Sequence, residues 1–225
     1  MTSLSAESFT PKVVAVPRSL VRLCTEAQRR LWGLRLGRLY GFGIGFSYAI
    51  MVLVGPESLA TSSKLWARAL ATASWVAGVG ALTLATDLAA RDAMQGLTGL
   101  ARLRGFGEPQ LERARAVAGA LRLSTTVVAP GLMVALAVLL RFRTLHGIVV
   151  ALGLVLAALP YAVLVGSTLA FLGRACSVWL PGRGRLLLLS LVLGPWLLGL
   201  GLDAAVPSLP GAFGWLLHQL TRGLR

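Results

Sequence analysis

Five runs of apolar residues dominate this chain, roughly Leu39 to Gly55, Ala69 to Ala89, Thr126 to Leu140, Gly147 to Gly173 and Leu186 to Leu202. A run of that kind is what about 30 Å of hydrocarbon requires of a helix, because lipid leaves the backbone no partner but itself. Charge scarcity points the same way. Only 13% of the 225 residues are charged, about half the usual share, which is too few to solvate a globule of this length. The expected fold class is therefore all-α, a polytopic membrane helix bundle of about five spans.

The third run is short alone and has to borrow the turn before Thr126 or snorkel through Arg141, while the fourth is long enough to tilt. A last stretch, Leu209 to Leu224, carries Phe213, Trp215, Leu216, Leu217, Leu220 and Leu224 but also His218 and Arg222, and is too short to cross. It reads as an amphipathic or re-entrant element. The expected organisation is an N-terminal tail and interfacial helix over 1–38, a transmembrane domain over 39–206 with an inner hairpin at 87–124, and a C-terminal segment over 207–225.

The net charge of +14 invites a nucleic-acid reading, but the basic residues sit between apolar runs, with no stripe of stacking aromatics among them. No nucleic-acid partner is expected. Their distribution sets orientation instead. Placing the N-terminus inside puts sixteen Lys and Arg on inner segments: Lys12, Arg18, Arg22, Arg29, Arg30, Arg35, Arg38; Arg91, Arg102, Arg104, Arg113, Arg115, Arg122; Arg174, Arg183 and Arg185. Six fall outside: Lys64, Arg68, Arg141, Arg143, Arg222 and Arg225. This positive-inside bias predicts a cytoplasmic N-terminus and, with five spans, an external C-terminus in a bacterial-type inner (plasma) membrane. The seven bases before the first run are too extended for a signal peptide, so the N-terminus is expected to be retained.

Catalysis by this chain is not expected. The two histidines, His146 and His218, sit near segment ends; HExxH and GxxxxGK[ST] are missing, and the eight acids are scattered. No cofactor or metal is expected. Cys24 and Cys176 form no ligand spacing and read as small residues kept reduced on the inner side. Asp87, near the inner end of the second run, reads as a helix-end residue in reach of Arg91. Gly41, Gly43, Gly45, Gly78, Gly80, Pro130, Pro160 and Gly194-Pro195 predict close, kinked helix packing.

Two segments are interfacial. From Arg18 to Leu36, Leu20, Leu23, Ala27, Leu31 and Leu34 recur at steps of three and four, with Arg22, Arg29, Arg30 and Arg35 off that line. Such a helix lies among inner headgroups with those four arginines on anionic lipid. The inner loop predicts a helix from about Asp87 to Arg104, a break at Gly105-Phe106-Gly107-Glu108-Pro109, and a helix from about Gln110 to Leu123. Met94, Leu97, Ala101 and Arg104 share one face of the first arm, and Leu111, Ala114, Ala118 and Leu121 one face of the second.

That loop resembles the membrane subunits of type-2 ABC exporters. The likeness rests on Asp92-x-x-x-Gly96-Leu97-x-x-Leu100-x-x-x-x-Gly105 followed by Leu111-x-x-Ala114-Arg115-x-x-Ala118, within the order basic helix, two spans, inner loop, further spans. The segment that carries the likeness is about 35 residues, and the topology extends it loosely over most of the chain. It implies a permease subunit, without catalysis of its own, coupled to a separate ATP-binding subunit that would hold ATP and Mg, and paired with a second permease copy. It makes Asp92, Leu97, Leu100, Arg102, Arg104 and Phe106 the partner contacts. The family usually has six spans and ends inside, and a sixth is not evident here. A membrane scaffold recruiting cytoplasmic partners and a secondary transporter are the alternative functions.

Overall fold

The computed structural model describes residues 16–55, 58–86, 96–202 and 209–222, with only the backbone described at 195–202, 209, 210 and 221. Every regular element among them is a helix: α1 (Arg18–Gln28), α2 (Trp32–Val54), α3 (Leu59–Leu84), α4 (Leu97–Leu103), α5 (Glu108–Arg141), α6 (Leu145–Trp179), α7 (Gly184–Leu202) and α8 (Leu209–Arg222). Helices α2, α3, α5 and α6 are each long and apolar enough to cross a membrane, and α7 adds a shorter apolar stretch over Gly184–Gly194. The chain is a multi-pass helical membrane protein. The all-α bundle expected from the sequence is the one found.

Helix α5 is the centre of the bundle, packing against α1, α2, α3 and α6. Its 34 residues would measure about 51 Å, so it outruns the hydrocarbon by several turns. This corrects two expectations. The third span is not short, and the second arm of the inner hairpin is not a separate helix but the first four turns of α5. Ser124, Thr125 and Thr126 do not interrupt it, because the two threonine hydroxyls fold back to donate to the Arg122 carbonyl at 2.7 and 3.1 Å.

Small residues decide how closely α2 and α5 approach. Gly37, Gly41 and Gly45 face inward at steps of four. A Cβ at Gly41 would lie 2.8 Å from the Thr126 carbonyl oxygen, and one at Gly45 would lie 2.8 Å from the Pro130 Cα. Pro130 lacks the N–H that would bond the Thr126 carbonyl, so α2 crosses where that oxygen is exposed by the proline. Gly43, by contrast, has nothing within 4 Å and points out of the bundle. On the other side, Gly166 of α6 meets Ser124 of α5, where a Cβ would lie 2.5 Å from the Ser124 backbone nitrogen.

Other boundaries also differ from the sequence reading. The basic N-terminal helix ends at Gln28 and α2 begins at Trp32, so Arg35 belongs to the first crossing helix and not to α1. No Gly or Pro marks that turn. Tertiary packing sets it, since α1 must lie along α5 while α2 enters the bundle. Helix α3 starts ten residues before the expected run, capped by Ser58, whose hydroxyl accepts from Thr61 N–H at 3.3 Å. Helix α6 runs six residues beyond Gly173, and Gly182, at φ 80°, turns the chain into α7. Helix α8 packs on α3, with Phe213 edge-on to Tyr161 at 6.5 Å between ring centres.

Candidate functional site

The α1 end of the bundle gathers the charged side chains. Glu108, Glu112 and Arg115 share one face of α5 at steps of four and three, and the α6 extension brings Arg174 to the same place. The Arg115 side chain is only 1% exposed; its Nη1 bonds Glu108 at 3.3 Å and also Glu112. Glu112 takes a second hydrogen bond from Arg174 Nη2. One carboxylate thus bridges two buried guanidiniums from different helices, which fixes the α6 end against the start of α5. A buried cation without such a partner is costly.

Helix α1 is held to the same stretch by two polar contacts. The Gln28 side chain donates from Nε2 to the Arg115 carbonyl at 3.1 Å, and Arg122 Nη2 donates to the Thr25 carbonyl at 2.6 Å. Around them Leu20, Cys24, Ala101, Leu111, Ala114 and Ala118 form a small apolar core separate from that of the main bundle. The α1 face turned to α5 is Leu20, Cys24 and Gln28, so the expected stripe through Leu23 and Ala27 lies beside the contact, half-buried. On α5 the buried line passes through Ala114, Ala118 and Arg122, and Leu121 is exposed, so the seam advances here by four residues and not by the expected 118-to-121 step. Cys24 and Cys176 are both buried and outside any disulfide.

Helix α4 rests on this core. Gly96 and Gly105 sit at φ 72° and 77°, bracketing a helix of seven residues. Its C-terminus closes in a Schellman turn: Phe106 N–H donates to the Ala101 carbonyl at 3.0 Å and Gly105 N–H to that of Arg102 at 2.9 Å. Phe106 then packs on the Ala101 cluster, as Leu97 does. Helix α5 opens at Glu108 with Pro109 in its first turn, and the Gln110 side chain accepts from Gly107 N–H at 3.3 Å.

The expected contact residues therefore separate into two sets. Leu97 and Phe106 face inward and hold the hairpin down. Leu100, Arg102 and Arg104 are exposed, Leu100 at 39%. Asp92, with Asp87, Arg91 and Met94, lies outside the described residues, as does Asp203. The sequence reading missed Leu103, which is 89% exposed and stands three residues after Leu100 on the same face. The i, i+3 spacing of the two leucines was the available signal. It also missed the Glu108–Arg115–Glu112–Arg174 cluster, whose i, i+4, i+7 face on α5 is readable, although the contribution of Arg174 from sixty residues away is not.

The four arginines expected on lipid, Arg22, Arg29, Arg30 and Arg35, are all exposed. Arg22 pairs with Glu26 at 3.5 Å. Deeper in the bundle, the Ser74 and Tyr161 hydroxyls bond at 3.0 Å, Ser74 also donating to the Leu70 carbonyl at 2.8 Å. They border a partly open pocket of about 70 Å³ that Trp75, Leu169, Val192 and Phe213 also line. Among the described residues, no group of three His, Cys, Asp or Glu side chains is placed to hold a metal ion. No protein-family model, curated protein or solved structure matches the chain.

Proposed function

We propose that this chain is the permease subunit of an ATP-driven exporter of the ABC type, coupled to a separate ATP-hydrolysing subunit through α4. The observation that carries the reading is the division of α4 into an anchored and a presented face. Leu97, Ala101 and Phe106 lock it to α1 and α5, while Leu100, Leu103, Arg102 and Arg104 stand outward. A leucine exposed as fully as Leu103 on so short a helix is an anchor for a partner groove, and flanking arginines suit an acidic rim. Force applied there reaches α5 through the packing of Ala101 on Leu111, Ala114 and Ala118 and through the short Gly105–Gly107 turn, and then runs along one helix from Glu108 to Arg141.

In this reading the α1 end is cytoplasmic, following the sixteen-to-six distribution of Lys and Arg, and the membrane is a bacterial-type inner membrane. Partnership with a second permease copy is supported by the outward face of α2. There Gly43 and Ser47, one turn apart, lie in a groove with Leu36, Tyr40 and Ile44, the small-residue spacing that lets two membrane helices touch. The translocation path then runs along the dimer interface.

The test is mild extraction of N-terminally tagged protein, with mass spectrometry of what co-purifies. The expected result is a stoichiometric ATP-hydrolysing subunit, retained by the wild type and lost from Leu103→Asp and Leu100→Asp while both variants still insert. Recovery of only other membrane or structural proteins, unchanged by either substitution, would replace this reading with that of a scaffold.

A further inference from the structure

Arg122 is buried at 4% exposure, yet only one of its guanidinium nitrogens has an acceptor among the described residues. Nη2 donates to the Thr25 carbonyl; Nε and Nη1 are buried with no acceptor there. Arg38, on α2, likewise has its Nε buried without an acceptor. These two residues occupy equivalent places, since Arg38 precedes Gly41 by three residues and Arg122 precedes Thr126 by four, and Gly41 and Thr126 are where α2 and α5 touch. The third member is Arg29, whose backbone N–H bonds the same Thr25 carbonyl at 3.1 Å. The charges of Arg38 and Arg29 both bear on Arg122.

Two arginines, the half-buried Arg38 and the buried Arg122, thus lie near the end of α1 with the charge of the exposed Arg29 beside them and no ion-paired carboxylate among the described residues. The described acids near this end are engaged elsewhere: Glu26 with Arg22, Glu108 with Arg115, and Glu112 with Arg115 and Arg174. The carbonyls ending α1 offer partial negative charge, but one carbonyl cannot satisfy three cations. Buried N–H donors from Arg38 and Arg122, with the exposed Arg29 adding its charge at the rim, suit a tetrahedral oxyanion, for which the guanidinium fork is the best-matched side chain.

We infer that Arg29, Arg38 and Arg122 form a binding site for a phosphate group between α1, α2 and α5. The source the surroundings favour is an anionic phospholipid headgroup. Trp32 is 71% exposed about 9 Å up α2 from Arg38, the place of an aromatic anchor at the headgroup level, and α1 beside it exposes Arg22 and Arg30. This site differs from general attraction of the exposed arginines to a charged surface, because the Arg38 Nε and the Arg122 Nε and Nη1 are inside the fold. One lipid bound there would tie α1 to the first and third crossing helices. The inference is independent of the transport reading.

The experiment is native mass spectrometry and thermal unfolding of purified protein in neutral detergent, titrated with phosphatidylglycerol, with phosphatidylcholine, or with inorganic phosphate. The wild type is expected to retain phosphatidylglycerol through delipidation and to gain stability from it, and not from phosphatidylcholine. Arg122→Met and the less intrusive Arg38→Gln are each expected to weaken that binding by roughly tenfold or more, the worth of one charge-assisted contact. Arg22→Gln is expected to change it little. Stabilisation by inorganic phosphate without phosphatidylglycerol retention would keep the phosphate site and make its ligand soluble. Equal response of the wild type and Arg38→Gln to phosphatidylglycerol would overturn the inference. So would no response to either anion together with strong coupling between Arg122→Met and Asp87→Asn, since a carboxylate of the chain would then be the counter-ion.

Discussion

Among the described residues Glu112 is the carboxylate shared by two buried arginines, and replacing it by Gln tests whether that cluster holds the α6 end to α5. The substitution keeps the side chain's shape and one carbonyl acceptor but removes the charge. Arg115, 1% exposed, then keeps Glu108, which is itself half-exposed and 3.3 Å away, but loses its second carboxylate, and Arg174, 10% exposed, loses the Glu112 carboxylate. Removing one member of a buried pair costs about 3–5 kcal/mol, whereas exposed pairs are worth at most about 1 kcal/mol. Glu112 retains 35% exposure, so the expected loss lies between, at roughly 2–3 kcal/mol. For a chain of this length that is a fall in Tm of about 4–12 °C in detergent. The double variant Glu112→Gln, Arg174→Met should recover part of the loss, because the stranded cation is gone. A Tm within about 1 °C of wild type for Glu112→Gln, or strictly additive effects in the double variant, would refute the reasoning.

Three further predictions follow from the packing. Gly41→Ala should destabilise the bundle by about 1–3 kcal/mol, since its Cβ meets backbone at 2.8 Å, whereas Gly78→Ala, with nothing within 4 Å, should be neutral or slightly stabilising; thermal unfolding in detergent reads both. In a double-mutant cycle, Ser74→Ala and Tyr161→Phe should show a coupling of about 0.6 kcal/mol, the usual worth of a hydrogen bond between membrane helices. Leu97→Asp should lower stability by placing a charge against the α1–α5 core, and Leu103→Asp should leave it unchanged, so limited proteolysis of the two should differ sharply.

The bundle itself was readable because lipid imposes a length and polarity on each crossing helix, and the hairpin break because Gly105, Gly107 and Pro109 have local backbone effects. Gly41 and Gly45 were readable as packing residues, while their distinction from Gly43 depended on which face α2 turns to α5. Helix ends were less legible. Arg35 and Arg38 looked like part of a surface helix because charge is rare inside a span, yet α2 carries both, and Arg38 joins Arg122 through a crossing that no local pattern encodes. The same is true of Glu112 with Arg174: each is ordinary alone, and only the overlong α5 and α6 bring them together.

The most direct test of the central claim is a photo-crosslinking amino acid placed at position 103 in native membranes, with position 149 on the lipid-facing side of α6 as control. The account predicts one dominant adduct at position 103, with an ATP-binding protein that is absent at position 149 and lost when Leu100→Asp is added. Adducts only with lipid or with unrelated membrane proteins, the same at both positions, would contradict it.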